Sequence, residues 1–312
     1  MYQERGKMRN TYLKALYNLA KNDKNIVSLV ADNGLIVYDD FRKDFPERYF
    51  NFGIAEGNMI TVAAGMASCG KIPFVYTINA FLAYRAYEFL RDDVCFQNQN
   101  VKIIGIGSGL TYSTLGPSHH TTEDIGLLRS LPNLVVFSPS TRQETEWVMK
   151  ETYKIKGPVY IRLSNNSKEF YKENVCFNLG VPSVVKKGTD ITLMTTGSII
   201  SEAMKAAELL EYDGISTEVV SIHTLKPLDF SVLAEIASKT GKVVVLEEHN
   251  VIGGLYSAIA EAFVEQKIQV PCLKIGLKDT FAVDYGNLED VRKANGLDFK
   301  SIYHHIRVFS GR

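Results

Sequence analysis

The 312-residue sequence has no excess of charge: 35 Lys and Arg stand against 35 Asp and Glu, a formal net charge of zero. It therefore lacks the basic surplus typical of a nucleic-acid binder. Little mutual repulsion suits a chain that works inside an assembly. Cysteine is scarce. Cys69, Cys95, Cys176 and Cys272 are too scattered for a zinc pattern or a disulfide framework, and are expected to be reduced and mostly buried. No apolar run approaches the roughly 20 residues of a membrane span, and residues 1–10 lack the apolar core of a secretory signal. The expectation is a soluble cytoplasmic protein. There is no internal repeat and no low-complexity tract. A Rossmann dehydrogenase is disfavoured because Gly105, Gly107 and Gly109 lack the third glycine and the helix of its phosphate-binding turn.

What is present is alternation. The spacing predicts helices over 8–21, 55–69, 80–97, 123–130 and 141–153. Apolar strands lie between them at 26–31, 73–76, 101–106, 134–137 and 159–163. A Gly/Ser/Thr-rich loop spans 107–122. Residues 165–178 read as a polar linker. A second alternating unit follows, with strands at 191–195, 217–221, 242–247 and 270–275, helices at 199–211, 230–239 and 255–265, and a helical end over 288–308. Fully apolar strands between helices predict parallel sheets covered on both faces. The fold class is α/β, with two consecutive domains of mainly parallel sheet flanked by helices, over residues 1–175 and 176–312.

The stretch 48–59 reads RYFNFGIAEGNM. Its Glu56 follows a strand and opens an apolar helix. Alone, such a glutamate complements the helix dipole. Here it is followed by Gly57, Ala63, Ala64, Gly65 and Ala67, so the helix can pack closely. A carboxylate so surrounded is expected to be desolvated and suited to proton transfer.

NFGIAEGNM resembles the glutamate motif of the transketolase family. The resemblance continues through TINAFLAYRAYEFLRDDVCFQ (77–97), Gly116-Pro117-Ser118-His119-His120, LLRSLPNLVVFSPS (127–140), Gly157 to Arg162, and LEEHNVIGGL (246–255). It covers essentially the whole chain, and the order and spacing of the motifs carry it. It implies thiamine diphosphate and Mg2+ as cofactors. Glu56 would contact N1′ of the aminopyrimidine and so promote loss of the thiazolium C2 proton, the cofactor then acting as electron sink. Phe81, and with it Tyr84, fall where the family stacks an aromatic ring on the pyrimidine, whereas Tyr87 and Phe89 read as core residues. Asp32 would join Glu56, Phe81 and Tyr84 in binding the cofactor. His119 matches the histidine that bonds the sugar's reacting oxygens. His120 either assists or is an ordinary loop residue, and Arg9 matches one arginine of a sugar-phosphate clamp. Thr121 and Asp124 fit a capping box, and Glu123 reads as structural. Glu248 and His249 are expected in a structural or interface role, with Gly253 and Gly254 permitting a tight turn.

Other parts of the family pattern are missing. The sequence contains no G-D-G, the mark of the domain that holds the diphosphate and its metal, and no set of hard oxygen ligands replaces it. Asn165-Asn166 lacks its upstream half and reads as non-metal. The resemblance therefore implies an N-terminal transketolase-like partner subunit and an α2β2 heterotetramer. At the sugar end, the stretch Tyr112-Ser113-Thr114-Leu115 lacks the usual acid. Asn165 stands where a second phosphate arginine is common, and Asn33-Gly34-Leu35-Ile36 shows no obvious serine. Asparagine cannot replace arginine's bidentate fork, so an atypical sugar substrate is expected. A deoxyxylulose-phosphate-synthase-like enzyme, the β chain of a 2-oxo acid dehydrogenase and a non-catalytic regulatory subunit remain alternatives.

Overall fold

The computed structural model describes residues 8–34, 36–164, 168–171 and 175–312. Twelve strands among them form two sheets. The first half contributes β1 (Ile26–Val30), β2 (Tyr49–Asn51), β3 (Ile72–Ile78), β4 (Lys102–Ile106), β5 (Val135–Phe137) and β6 (Val159–Leu163). The second half contributes β7 (Ser183–Lys186), β8 (Ile191–Thr195), β9 (Thr217–Ser221), β10 (Thr224–Lys226), β11 (Val243–Asn250) and β12 (Cys272–Leu277). The first sheet runs β10-β5-β6-β4-β3-β1-β2 and the second β12-β11-β8-β9-β7. All pairings are parallel except β10 with β5 and β7 with β9. Strands β1, β4, β6, β8 and β9 are buried along their whole length, as expected of apolar runs sandwiched between helices. The α/β architecture with two mainly parallel sheets is thus the observed one.

The two halves are not separate bodies. One apolar cluster runs from Met59, Leu82 and Ile125 of the first to Val245, Leu255 and Ile259 of the second. Strand β10, too short and polar to stand out in the sequence, extends the first sheet from within the second half.

Four expectations are corrected. The helix expected over 80–97 is wound largely as π-helix, over Phe81–Arg85 and Leu90–Phe96. The terminal helix is two helices, Leu288–Ala294 and Phe299–Ser310, parted where Gly296 takes φ +70°, a conformation glycine adopts without steric cost. Cys69 and Cys176 are exposed, although all four cysteines are free. The capping box is absent: Glu123 is the N-cap of helix Asp124–Leu128 and makes no side-chain cap, because the Asp124 carboxylate turns inward to Arg162. Asn165-Asn166, part of the expected linker, lies outside the described residues. Among the described residues no helix is long and apolar enough to cross a membrane.

At the opposite end of the first sheet from the loops described below, Lys102 is fully buried. Its Nζ donates to the carbonyls of Ile155 at 2.7 Å and Gly157 at 2.9 Å. Burial, and then Lys156, lower its pKa to about 7. The unfolded chain therefore binds more protons than the folded one between pH 7 and the ordinary lysine range, and stability rises with pH there, by up to about 1.4 kcal/mol per pH unit. Denaturant melts between pH 7 and 9 are expected to show this rise in the wild type and a flatter profile in Lys102→Met. Identical slopes would overturn it.

Candidate active site

The carboxyl ends of β1, β3 and β4, and the loops that follow them, gather the residues singled out in the sequence. Glu56 opens helix Glu56–Ser68 directly after the loop from β2. Its side chain is 2% exposed, and its one side-chain partner among the described residues is Arg85, whose Nη1 donates to Oε2 at 3.0 Å. Arg85 itself is 54% exposed. The π-helical turn brings the Arg85 guanidinium over the Phe81 ring, 5.0 Å from its centroid. Phe81 in turn meets the His119 ring edge-on at 5.1 Å. Glu56, Arg85, Phe81 and His119 are therefore one contiguous chain of contacts.

His119 shares a hydrogen bond between its Nδ1 and Ser118 Oγ at 3.0 Å, and Tyr112 approaches its ring at 6.4 Å. His120 points the other way. It is 3% exposed, and its buried ring lies against the backbone of Ala282. Burial lowers its pKa, while Glu248 and Glu123 pull it back up. Arg9 reaches the same end of the sheet through Tyr76 and Tyr112, both of which feel its charge. Arg9 Nε is a buried donor with no partner among the described residues, and the Asn33 side chain meets the Tyr112 hydroxyl. Asp32, at φ +45°, is tied to the end of β2: its N–H donates to Asn51 Oδ1 at 3.0 Å. Asparagine and aspartate tolerate that backbone region better than most residues.

Tyr84 is committed to the backbone of the same site. Its hydroxyl donates to Glu123 Oε2 at 2.5 Å and accepts from the N–H groups of Thr122 and Glu123, each at 3.1 Å. Burial, then the Asp124 and Glu123 carboxylates, keep this hydroxyl protonated.

A cavity of about 1010 Å³, lined by Val27, Phe50, Met66 and Cys69 among others, lies at the far end of helix Glu56–Ser68, away from its carboxylate. Around the site itself, Ile54, Phe281 and Tyr285 are 75%, 73% and 68% exposed. Among the described residues no group of three or more His, Cys, Asp or Glu is placed to hold a metal ion.

Sequence reasoning missed Arg85. It was given no role there, since the carboxylate it meets lies 29 residues back in the chain.

A buried glutamate at a helix start, an aromatic ring and a loop histidine, backed by a second α/β domain, define a chain built like the later part of a transketolase. Residues 5–168 match the transketolase pyrimidine binding domain and residues 180–302 the transketolase C-terminal domain, and the chain belongs to the transketolase family. It is 38% identical to the putative transketolase C-terminal section of Methanocaldococcus jannaschii, over 96% of this chain and 95% of that protein. It is 36% identical to a 6-deoxy-6-sulfo-D-fructose transketolase subunit of Clostridium sp. strain MSTE9, over 95% and 92% of the two chains. A solved split-gene transketolase, described as an inactive β4 tetramer, superposes with a TM-score of 0.85 at 38% identity over 96% of this chain and 97% of its own. Relatives in this family are transferases, and membership implies dependence on thiamine diphosphate.

Replacing Tyr84 by Phe keeps the ring but leaves the Thr122 and Glu123 N–H groups without an acceptor. Equilibrium unfolding is expected to show a loss of about 1–3 kcal/mol. An unchanged midpoint would assign the ring, rather than the hydroxyl, the residue's whole role.

Proposed function

We propose that this chain is the glutamate-bearing subunit of a two-chain transketolase that moves a two-carbon ketol unit from a ketose to an aldose. The observation that carries the reading is the Glu56 carboxylate: buried, and held, among the described residues, only by an arginine that is itself half in water. An exposed partner of this kind contributes little, on the order of 1 kcal/mol or less, whereas a buried carboxylate left unpaired is costly. The site thus holds a desolvated acceptor whose present partner is easily exchanged for another donor.

The residues fit the pyrimidine end of thiamine diphosphate. Glu56 would hold and move a proton at N1′, displacing Arg85, and the Phe81 ring would pack on the pyrimidine. Tyr84 would set the loop behind that ring, and Asp32 would close the β1 side. When bound, the cofactor supplies the electron sink for cleaving and re-forming the carbon–carbon bond beside the ketose carbonyl. His119 would orient the sugar's reacting oxygens, with Ser118 fixing the imidazole, and His120 would support the loop from behind.

Nothing among the described residues suits Mg2+ and the diphosphate, so both would sit on an N-terminal partner subunit. The exposed apolar side chains of Ile54, Phe281 and Tyr285 around the site favour a partner covering it, in an α2β2 assembly. The cytoplasm is the compartment this reading implies.

Beside His119, Arg9 and Asn33 lie against Tyr112 and present a guanidinium, an amide and a phenol. They would receive the far, anionic end of the sugar. A single guanidinium joined by an amide and a phenol suits a less demanding anion than a doubly charged phosphate. A relative named for a sulfosugar agrees with an atypical substrate.

With the partner present, Glu56→Gln is expected to lower ketol transfer at least about 100-fold without altering the melting temperature. Transfer at the wild-type rate would sink the proposal. Arg9→Met is expected to raise KM about tenfold or more for anionic sugars and to leave neutral ones unaffected. Equal effects on both would remove Arg9 from the sugar site.

A further inference from the structure

The second domain touches the histidine loop at a series of points, most of them on the end of β11 and one at Tyr285. Residues 107–122 are closed at their base by two hydrogen bonds between Gly109 and Thr121, of 3.0 and 2.9 Å. Just inside that base, the Leu110 N–H donates to Glu248 Oε1 at 2.8 Å. Glu248 is 4% exposed, and its other oxygen is held by Arg292 Nε at 2.5 Å. Arg162 Nη2 donates to both the Thr121 and the Glu248 carbonyls, each at 3.1 Å. The Asn250 N–H donates to the Thr122 carbonyl at 2.7 Å. His120 fills the space between these contacts, where it feels the Glu248 charge. At the tip, the Tyr285 ring lies so close to Gly116 that a Cβ there would stand 2.7 Å from it.

Gly109 is the hinge of this arrangement. It takes φ +61°, and a Cβ at this position would meet Glu248 Oε1 at 2.3 Å. The loop can approach the carboxylate because residue 109 has no side chain. Arg292 in turn stands 3.9 Å from Glu202 on helix Ile200–Tyr212, so the carboxylate is anchored in the second domain's own core.

We propose that Glu248, backed by Arg292, is a positioning residue: through Leu110 it sets the loop that carries His119, and so gives the second domain a direct part in sugar recognition. A charged acceptor buried beside a backbone N–H makes a hydrogen bond of about twice the usual strength. Nine residues along, the His119 ring is held, among the described residues, only by Ser118 and by ring contacts with Phe81 and Tyr112. The loop's base therefore decides where that ring stands. This inference rests on the role proposed for His119, and its test separates the two.

The first arm needs no activity. Amide exchange of the free chain is read by mass spectrometry for Glu248→Ala, Glu248→Gln and Gly109→Ala. Exchange over 108–121 is expected to rise at least tenfold in Glu248→Ala and Gly109→Ala, and less in Glu248→Gln, which keeps an acceptor oxygen. Peptides from β3 and from helix Phe299–Ser310 should stay at wild-type protection, which confirms that each variant is folded. Unchanged exchange over 108–121 in both Glu248→Ala and Gly109→Ala overturns the proposal.

The second arm uses the assembled enzyme. Glu248→Ala is expected to raise KM for the ketose about tenfold with kcat within about threefold, and Glu248→Gln to restore most of the loss. A variant that loses kcat at unchanged KM would make Glu248 merely structural and overturn the proposal. Should the wild-type assembly transfer no ketol unit, the reading of the site fails instead, and the exchange arm alone decides whether Glu248 holds the loop.

Discussion

The structure turns on one fully buried ion pair. Arg162 Nε donates to Asp124 Oδ2 at 2.8 Å, with 2% and 0% of the two side chains exposed. Removing two charges from water costs several kcal/mol each, and their attraction offsets this only if the remaining valences are filled. They largely are. Asp124 Oδ2 also accepts from Asn79 and from the Tyr160 hydroxyl, and Arg162 Nη2 takes the two carbonyls of Thr121 and Glu248. Burial pushes the Asp124 pKa up, but Arg162, with help from His249, overrides it and holds the carboxyl below its usual range. One carboxylate oxygen, Oδ1, remains without a partner. The pair therefore contributes fixed geometry more than net stability. It ties together β6, the exit of the histidine loop and the end of β11, which belong to three different stretches of chain.

That placement explains what the second domain does with its own crevice. In open parallel sheets, ligands bind at the carboxyl ends of the strands where the order reverses. The second sheet reverses between β8 and β11. Its crevice is occupied by the first domain. At the end of β8, a Cβ on Gly197 would stand 3.3 Å from Ser138 Oγ and 3.4 Å from Arg162 Nη1. At the end of β11, Glu248 and His249 receive the backbone N–H groups of Leu110 and Gly126. Glu247 caps helix Leu255–Glu265 from the same place, accepting from Leu255 and Tyr256, and burial raises its pKa to about 7. It reaches them because Gly254 has no side chain: a Cβ there would lie 2.0 Å from Glu247 Oε2. A position that elsewhere takes a small molecule here takes a loop of the neighbouring domain.

The strands and most helices were legible because burial leaves a local trace. A strand covered on both faces must be apolar at every position, and IVSLV, KIIGI and VYIRL nearly are. Their interruptions are informative in retrospect: Lys102 sits at the open end of β4 over two carbonyls, and Arg162 is half of the central pair. The π-helical winding of 81–85 and 90–96 was not read from the sequence, where two short π segments flank an α-helical turn. It follows from packing, where Phe81 must meet His119 while Leu82 and Ala83 stay in the core. The terminal helix pair was missed for the opposite reason. Apolar spacing resumes in phase after residue 298, and only Gly296 and the Asp298 N-cap mark the break.

At the site, what could be read was whatever one short segment carries by itself. Glu56, Phe81 and His119 each stand inside a run whose order and spacing signal them. Their mutual arrangement does not, and it rests on contacts that no single segment signals. Asp124 looked like half of a capping box with Thr121, three residues away. Its true partner is Arg162, 38 residues on. Arg85 was given no role; one side of it is in water, and the other closes over a carboxylate 29 residues back. Glu248 was expected in a structural or interface role, but its partner was out of reach of the sequence, since the N–H it accepts belongs to Leu110, 138 residues earlier. Charge in a sequence reports its neighbours within a helical turn. In this fold the decisive charges act across the sheet ends, so their identity was visible and their function was not.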